Sequence, residues 1–147
     1  RRVLFRSHWE DAWFFIHQLM ERVRAHRFIY RDLNDLLSRN RRLEAEMKEV
    51  LQHKDIAFQV VLARLDQASL LKINEDDRII TARHMVIQST WWLSYAYVLQ
   101  PRSALEDDNG PRAMVDAAQS MLTLCKPYAQ GPGRKHLQAL LARYARP

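Results

Sequence analysis

The stretch from Ile79 to Gln100, IITARHMVIQSTWWLSYAYVLQ, is the longest apolar run in the chain, and it limits what the rest can fold into. Its apolar residues fall at almost every angle of a 3.6-residue wheel, so a helix here has no face suited to water and must be covered from several sides. Ala82, Ser89 and Ala96 recur every seven residues on one side, where small side chains let another helix approach closely. That side reads as a helix-packing seam, either within the chain or between subunits. Thr81, His84, Gln88 and Tyr95 share a different side with Trp91 beside them, a polar and aromatic stripe suited to lining a pocket.

The chain has 147 residues, enough for one domain that buries most of its apolar surface. Hydrophobic residues make up 48% and there are only three glycines and five prolines, a balance that excludes disorder and favours helices. Cys125 is the single cysteine, which rules out a disulfide framework and points to a reducing cytoplasm. Neither a secretory signal nor a membrane span is legible, because Gln88, Ser89, Thr90 and Ser94 interrupt the short run from Met85 to Leu99.

The net charge of +6 invites a nucleic-acid reading, but three arginines of the excess lie in residues 1–7, RRVLFRS, which carry no acid. That heptapeptide is also the in-frame translation of a common sequencing-adapter end, AGACGTGTGCTCTTCCGATCT. Residues 1–7 are therefore expected to be a non-native tail, with an amino-terminal truncation before His8, and they are left out of the functional argument. Arg22, Arg24, Arg27 and Arg31 are scattered around their helix beside Glu21, Asp32 and Asp35, as on a solvated surface.

Along the chain the apolar spacing predicts helices and little else. From His8 to His26, Trp9, Ala12, Trp13, Ile16, Leu19, Met20 and Val23 fall three and four apart. His17 sits at the edge of this stripe, as a boundary residue beside Glu21 or a reach into a pocket. Asn40 is a natural cap for a helix from about Arg42 to Leu71, with a core stripe of Leu43, Met47, Val50, Leu51, Phe58, Val61, Leu62 and Leu65. Glu44, Glu46, Glu49 and His53 read as solvent-facing, since no Glu-x-x-His pair exists to build a carboxylate-bridged metal site. Asn74 is a second cap, followed by three acids at the positive end of the central helix. Pro101 stops that helix, and Glu106 to Pro111 reads as a polar loop. Another helix is expected from Arg112 to Lys126, burying Met114, Ala117, Ala118, Met121, Leu122 and Cys125, and after a GPG turn a short closing helix from Lys135 to Arg146.

The segment RFIYRDLNDLLSRN, Arg27 to Asn40, resembles the carboxy-terminal domain of a branch of TetR-type transcriptional regulators. Trp91 to Tyr95, WWLSY, is similar to that family's aromatic late helix, and KPYAQGPGR, Lys126 to Arg134, to its proline-tyrosine turn and closing glycine-arginine. The blocks occur in order across nearly all of residues 9–145. Asn40 and Arg41 depart from the pattern, standing where such sequences often carry an acid and a proline.

The resemblance implies an all-α bundle of about five to six helices whose last two long helices form a four-helix interface with their copies. It implies a homodimer, a bound effector, and DNA contact only through an amino-terminal helix-turn-helix absent from this chain. On that reading Ala82, Ser89, Ala96, Met114, Ala117, Ala118, Met121 and Cys125 make the dimer interface. Trp13, His17, Met20, Phe28, His84, Gln88, Trp91 and Tyr95 line a pocket between the first, long and central helices, although Trp13, Met20 and Phe28 suit ordinary core best. An aromatic lining favours an apolar or aromatic effector. Catalysis finds no support: there is no phosphate-binding glycine loop, nucleophile elbow or paired-histidine motif, and neither cofactor nor metal is expected. A stand-alone helical interaction module without a small ligand is the alternative, and a helical enzyme using His84 and Gln88 a third reading.

Overall fold

The computed structural model describes residues 8–102 and 110–145, which form seven α-helices and one short 3-10 turn. They are α1 (Trp9–Ala25), α2 (Arg27–Arg31), α3 (Leu33–Arg39), α4 (Arg41–Gln67), α5 (Glu75–Leu99), α6 (Gly110–Thr123), the 3-10 turn Lys126–Tyr128, and α7 (Gly131–Arg143). The expected all-α bundle is present. It has more helices than expected because the Arg27 to Asn40 segment folds as two short helices, broken at Asp32. The expectation for residues 1–7, and most of that for the loop from Glu106 to Pro111, fall outside the described residues.

The long helices begin where the sequence says they should. Asn40 Oδ1 accepts from the Leu43 amide at 3.0 Å, and Asn74 Oδ1 from the Asp77 amide at 2.8 Å, so each asparagine satisfies one amide that its helix cannot pair internally. Glu75, Asp76 and Asp77 then place negative charge on the positive end of α5.

Helix α4 stops at Gln67, four residues earlier than expected. Ser69 takes a left-handed φ of 65°, and the Leu70 amide donates back to Leu65 O at 3.1 Å, the hydrogen bond that closes a helix end of this type. The carboxylate of Asp66 accepts from the Ile73 amide at 2.9 Å and holds the chain as it turns toward α5. The turn pairs with the segment before α7: Lys72 N donates to Tyr128 O at 2.9 Å and Gln130 N to Leu70 O at 3.1 Å. The expected GPG turn is instead the first turn of α7, with Pro132 where a missing amide matters least. Gly133 is required there, because a Cβ would stand 2.7 Å from the carbonyl oxygen of Leu70.

Helix α1 packs chiefly on α6, α4 on α5, and α2 also on α5. Trp9, Ile16, Met20, Phe58, Leu62, Leu65, Met85, Leu93, Met114, Met121 and Leu122 fill the centre. Two corrections follow for α5. Its apolar wheel is not covered from all sides: Ile80, Ile87, Tyr95, Val98 and Leu99 are exposed, Val98 at 78%. Ala82 and Ser89 lie on the opposite, buried side at 0% exposure, so the small-residue seam serves packing within the chain.

Candidate functional site

Helix α5 has two apolar faces. Thr81, Ala82, Met85, Val86, Ser89, Thr90 and Leu93 are buried against the body of the bundle. On the far side, Ile80, His84, Ile87, Trp91, Tyr95 and Val98 follow one another three or four residues apart and form one continuous stripe at the surface. All are exposed except Trp91, which is half-buried. Monomeric proteins rarely leave so long an apolar row in water.

Beside this stripe a groove of about 390 Å³ opens between α5 and α6, lined by Ile87, Gln88, Trp91, Trp92, Tyr95 and Ser120. The rings of Trp92 and Tyr95 lie 5.5 Å apart at a tilt of 50°. Gln88 Nε2 donates to Ser120 Oγ at 3.4 Å, a long bond, while Gln88 Oε1 and Trp92 Nε1 are enclosed with no hydrogen-bond partner among the described residues. An acceptor and a donor left unsatisfied in an aromatic setting weaken the apo packing, since an unmade buried hydrogen bond costs about 1–3 kcal/mol.

The groove unites Gln88, Trp91 and Tyr95 of the expected pocket. The other five expected residues lie elsewhere. Trp13 stacks between His17 at 4.7 Å and Tyr144 at 4.2 Å, on a separate 340 Å³ hollow with Glu10, Asp11, Phe14 and Leu140. His17 Nε2 is also 3.8 Å from Glu21, the boundary role that its position suggested. Met20 is fully buried core. Phe28 is exposed at the surface with the Arg27 and Arg31 guanidiniums 4.8 and 5.4 Å from its ring. His84 stands on the outer face of α5. The single pocket is divided because α1 packs mainly on α6 and also meets α7, which carries Trp13 away from the outer face of α5.

The residues expected at the dimer interface are likewise inside the chain. Met114, Ala117, Ala118 and Met121 are at 0% exposure and Cys125 at 1%, used in packing within the chain, and of the whole set only Ala96 keeps partial exposure. A second copy has no surface to touch at the others. Burial also pushes the Cys125 thiol up to about 12, so it is an inert core residue.

One polar group escaped the sequence reading. Lys54 sits in the α4 core stripe between Leu51 and Phe58 and is only 6% exposed. Its Nζ donates to Thr90 Oγ1 of α5 at 3.1 Å and lies 5.1 Å from the centre of the Tyr30 ring of α2. No carboxylate pairs with it among the described residues, and burial lowers the amine to about 8. The signal was present: a lysine one turn after Leu51 and one turn before Phe58 falls on the inward face of the helix.

Among the described residues no group of His, Cys, Asp and Glu is placed to hold a metal ion, and no helix is long and apolar enough to cross a membrane. The family profile of TetR, bacterial transcriptional repressor, matches residues 3–137. The chain belongs to the TetR family. The profile describes that family as bacterial transcriptional repressors. The fold is similar to that of a TetR-family transcriptional regulator from Marinobacter aquaeolei VT8, with a TM-score of 0.77 at 22% identity. The similarity covers 99% of this chain and 66% of that one, so the TetR chain described here spans less than two thirds of that protein's length. No curated protein matches it.

Proposed function

We propose that this chain is the effector-binding and dimerisation region of a cytoplasmic TetR-type repressor. Binding of a small, largely apolar effector shifts the arrangement of the dimer and thereby releases DNA held by a helix-turn-helix outside residues 8–147. The observation that carries the reading is the outer face of α5, where Ile80, Ile87, Tyr95 and Val98 are exposed along one row. Two copies pairing along this row bury it, with Trp91 and the neighbouring groove completing the contact. The pairing face is thus opposite to the Ala82 and Ser89 seam that the sequence suggested. An effector acts on such a dimer only by binding one arrangement better than the other.

Sedimentation of residues 8–147 tests the pairing: a dimer is expected, and a chain that remains monomeric at about 50 µM, a concentration that detects even weak association, overturns it. A gel shift against random and palindromic duplexes tests the division of labour. Residues 8–147 are expected to give no sequence-selective retention, because selective readout needs an element seated in a groove with side chains at base edges. Selective retention by this segment alone removes the proposal that DNA is read elsewhere.

A further inference from the structure

Lys54, Thr90 and Tyr30 come from three different helices, α4, α5 and α2, and meet at a point where, among the described residues, no carboxylate pairs with the lysine. An ammonium carries three donors; here one goes to a hydroxyl and the aromatic ring faces the group. Burying a charge in this way is unfavourable unless an anion accompanies it. Leu51, Phe58 and Val61 flank Lys54 along α4, and Val86 and Leu93 flank Thr90 along α5, while the half-buried carboxylate of the adjacent Asp55 accepts from Gln59 Nε2 at 3.0 Å. The charged groups nearest in sequence on α2 are Arg27 and Arg31, cations themselves, and Arg31 is paired with Asp32 at 2.7 Å. Among the described residues the Lys54 amine therefore has a hydroxyl and a ring as partners and no paired carboxylate.

Tyr30 is the wall that can give way. It is the only buried side chain of α2, a five-residue helix with no side-chain cap at its start. Its ring offers a cation–π attraction, weaker than a charge-assisted hydrogen bond from the same amine to a carboxylate.

We infer that Lys54 is the anchor for an acidic effector: an apolar molecule bearing one carboxylate seats that carboxylate on the Lys54 amine and the Thr90 hydroxyl, displacing the Tyr30 ring. This rests on the effector-binding reading above and names the chemical class of the effector. The apolar body lies among the flanking aliphatic and aromatic side chains, and its carboxylate supplies the charge that the site lacks. Displacement of Tyr30 moves α2 relative to α5.

Calorimetric titration with octanoate and with octan-1-ol, which share a chain and differ in the head group, tests the inference. The acid is expected to bind at least about tenfold more tightly than the alcohol. Lys54→Met should abolish that preference, the acid losing far more affinity than the alcohol. Tyr30→Ala, which opens the amine without touching it, should widen the ratio of acid to alcohol affinity, and this readout does not depend on the folding of the lysine variant. Equal binding of the two probes, a preference that survives Lys54→Met, or a ratio that falls in Tyr30→Ala overturns the anchor. In the first case the effector reading still stands. A chain that binds neither probe, nor any of a set of neutral aromatic compounds, loses both.

Discussion

The indole of Trp9, in the first turn of α1, donates a hydrogen bond of 2.9 Å to the carbonyl oxygen of Gly133, in the first turn of α7. The two residues are 124 positions apart, and both are buried. The bond fixes the start of the last helix against the start of the first. Gly133 is itself pressed against the backbone of Leu70, so the Trp9 contact and the turn after α4 share one anchor.

Gly133→Ala should therefore destabilise the fold by about 2–4 kcal/mol, because the added Cβ meets backbone rather than a side chain that can rotate away. Trp9→Phe should cost about 1–3 kcal/mol through the unmade hydrogen bond to a buried carbonyl. Thermal or urea unfolding reads both, and a neutral Gly133→Ala would show that the Leu70 turn yields.

Substitutions on the two sides of α5 should separate association from folding. Ile87→Glu and Val98→Glu place a charge on the outer row and are expected to give well-folded monomers by sedimentation. Ser89→Leu overfills the buried side, at about 1–3 kcal/mol of stability, and should leave the self-association constant of the surviving folded chain unchanged. A dimer lost in Ser89→Leu but kept in Ile87→Glu would return the interface to the small-residue seam.

The amine of Lys54 makes stability depend on pH. Burial holds it at about 8 in the folded chain against 10.5 for an ordinary lysine, so the unfolded chain binds more protons between those values and stability rises with pH there. Below about 8 the whole penalty of the buried charge, on the order of 3 kcal/mol, is present. Above pH 9 the Cys125 thiol, held at about 12, acts in the opposite direction, as does Tyr30, whose phenol is raised by burial. Lys54→Met isolates the first effect: its stability advantage over the parent should be full at pH 7 and shrink as pH passes 8. An advantage that stays flat across that range contradicts the assignment.

Cys125 should resist iodoacetamide in the native chain and react at once in denaturant, since the buried thiol is both shielded and held far from ionisation. Mass spectrometry of the alkylated protein checks it, and rapid native labelling would mean that the α6 end opens readily.

Much of the fold was legible because it rests on local chemistry. Asn40 and Asn74 announce two helices that begin one residue later, and the three-and-four spacing from Trp9 to Val23 describes the buried face of α1. The site was less legible, for a geometric reason. Periodicity says which residues share a face of α5 but not which face meets the bundle when both are apolar. Ala82 and Ser89 and their opposites Ile87 and Val98 were equally suited to either side until the neighbours of the helix were known. The pocket expectation joined residues on α1 with residues on α5, whereas the hydrogen bond from Trp9 to Gly133 ties α1 to α7. Lys54 is hidden by its type, since lysines are so seldom buried that an inward helical position alone does not mark one as core.

If two copies pair along the outer row of α5 as proposed, a helix that is apolar on both sides makes the chain sensitive to its own abundance. At low copy number the outer row of α5 stays wet and the folded form gains nothing from association; at high copy number pairing withdraws folded chains from the unfolding equilibrium and stability grows with concentration. A regulator paired in this way would be most open to proteolysis when it is scarce, because the unfolded fraction then has no dimer to draw against.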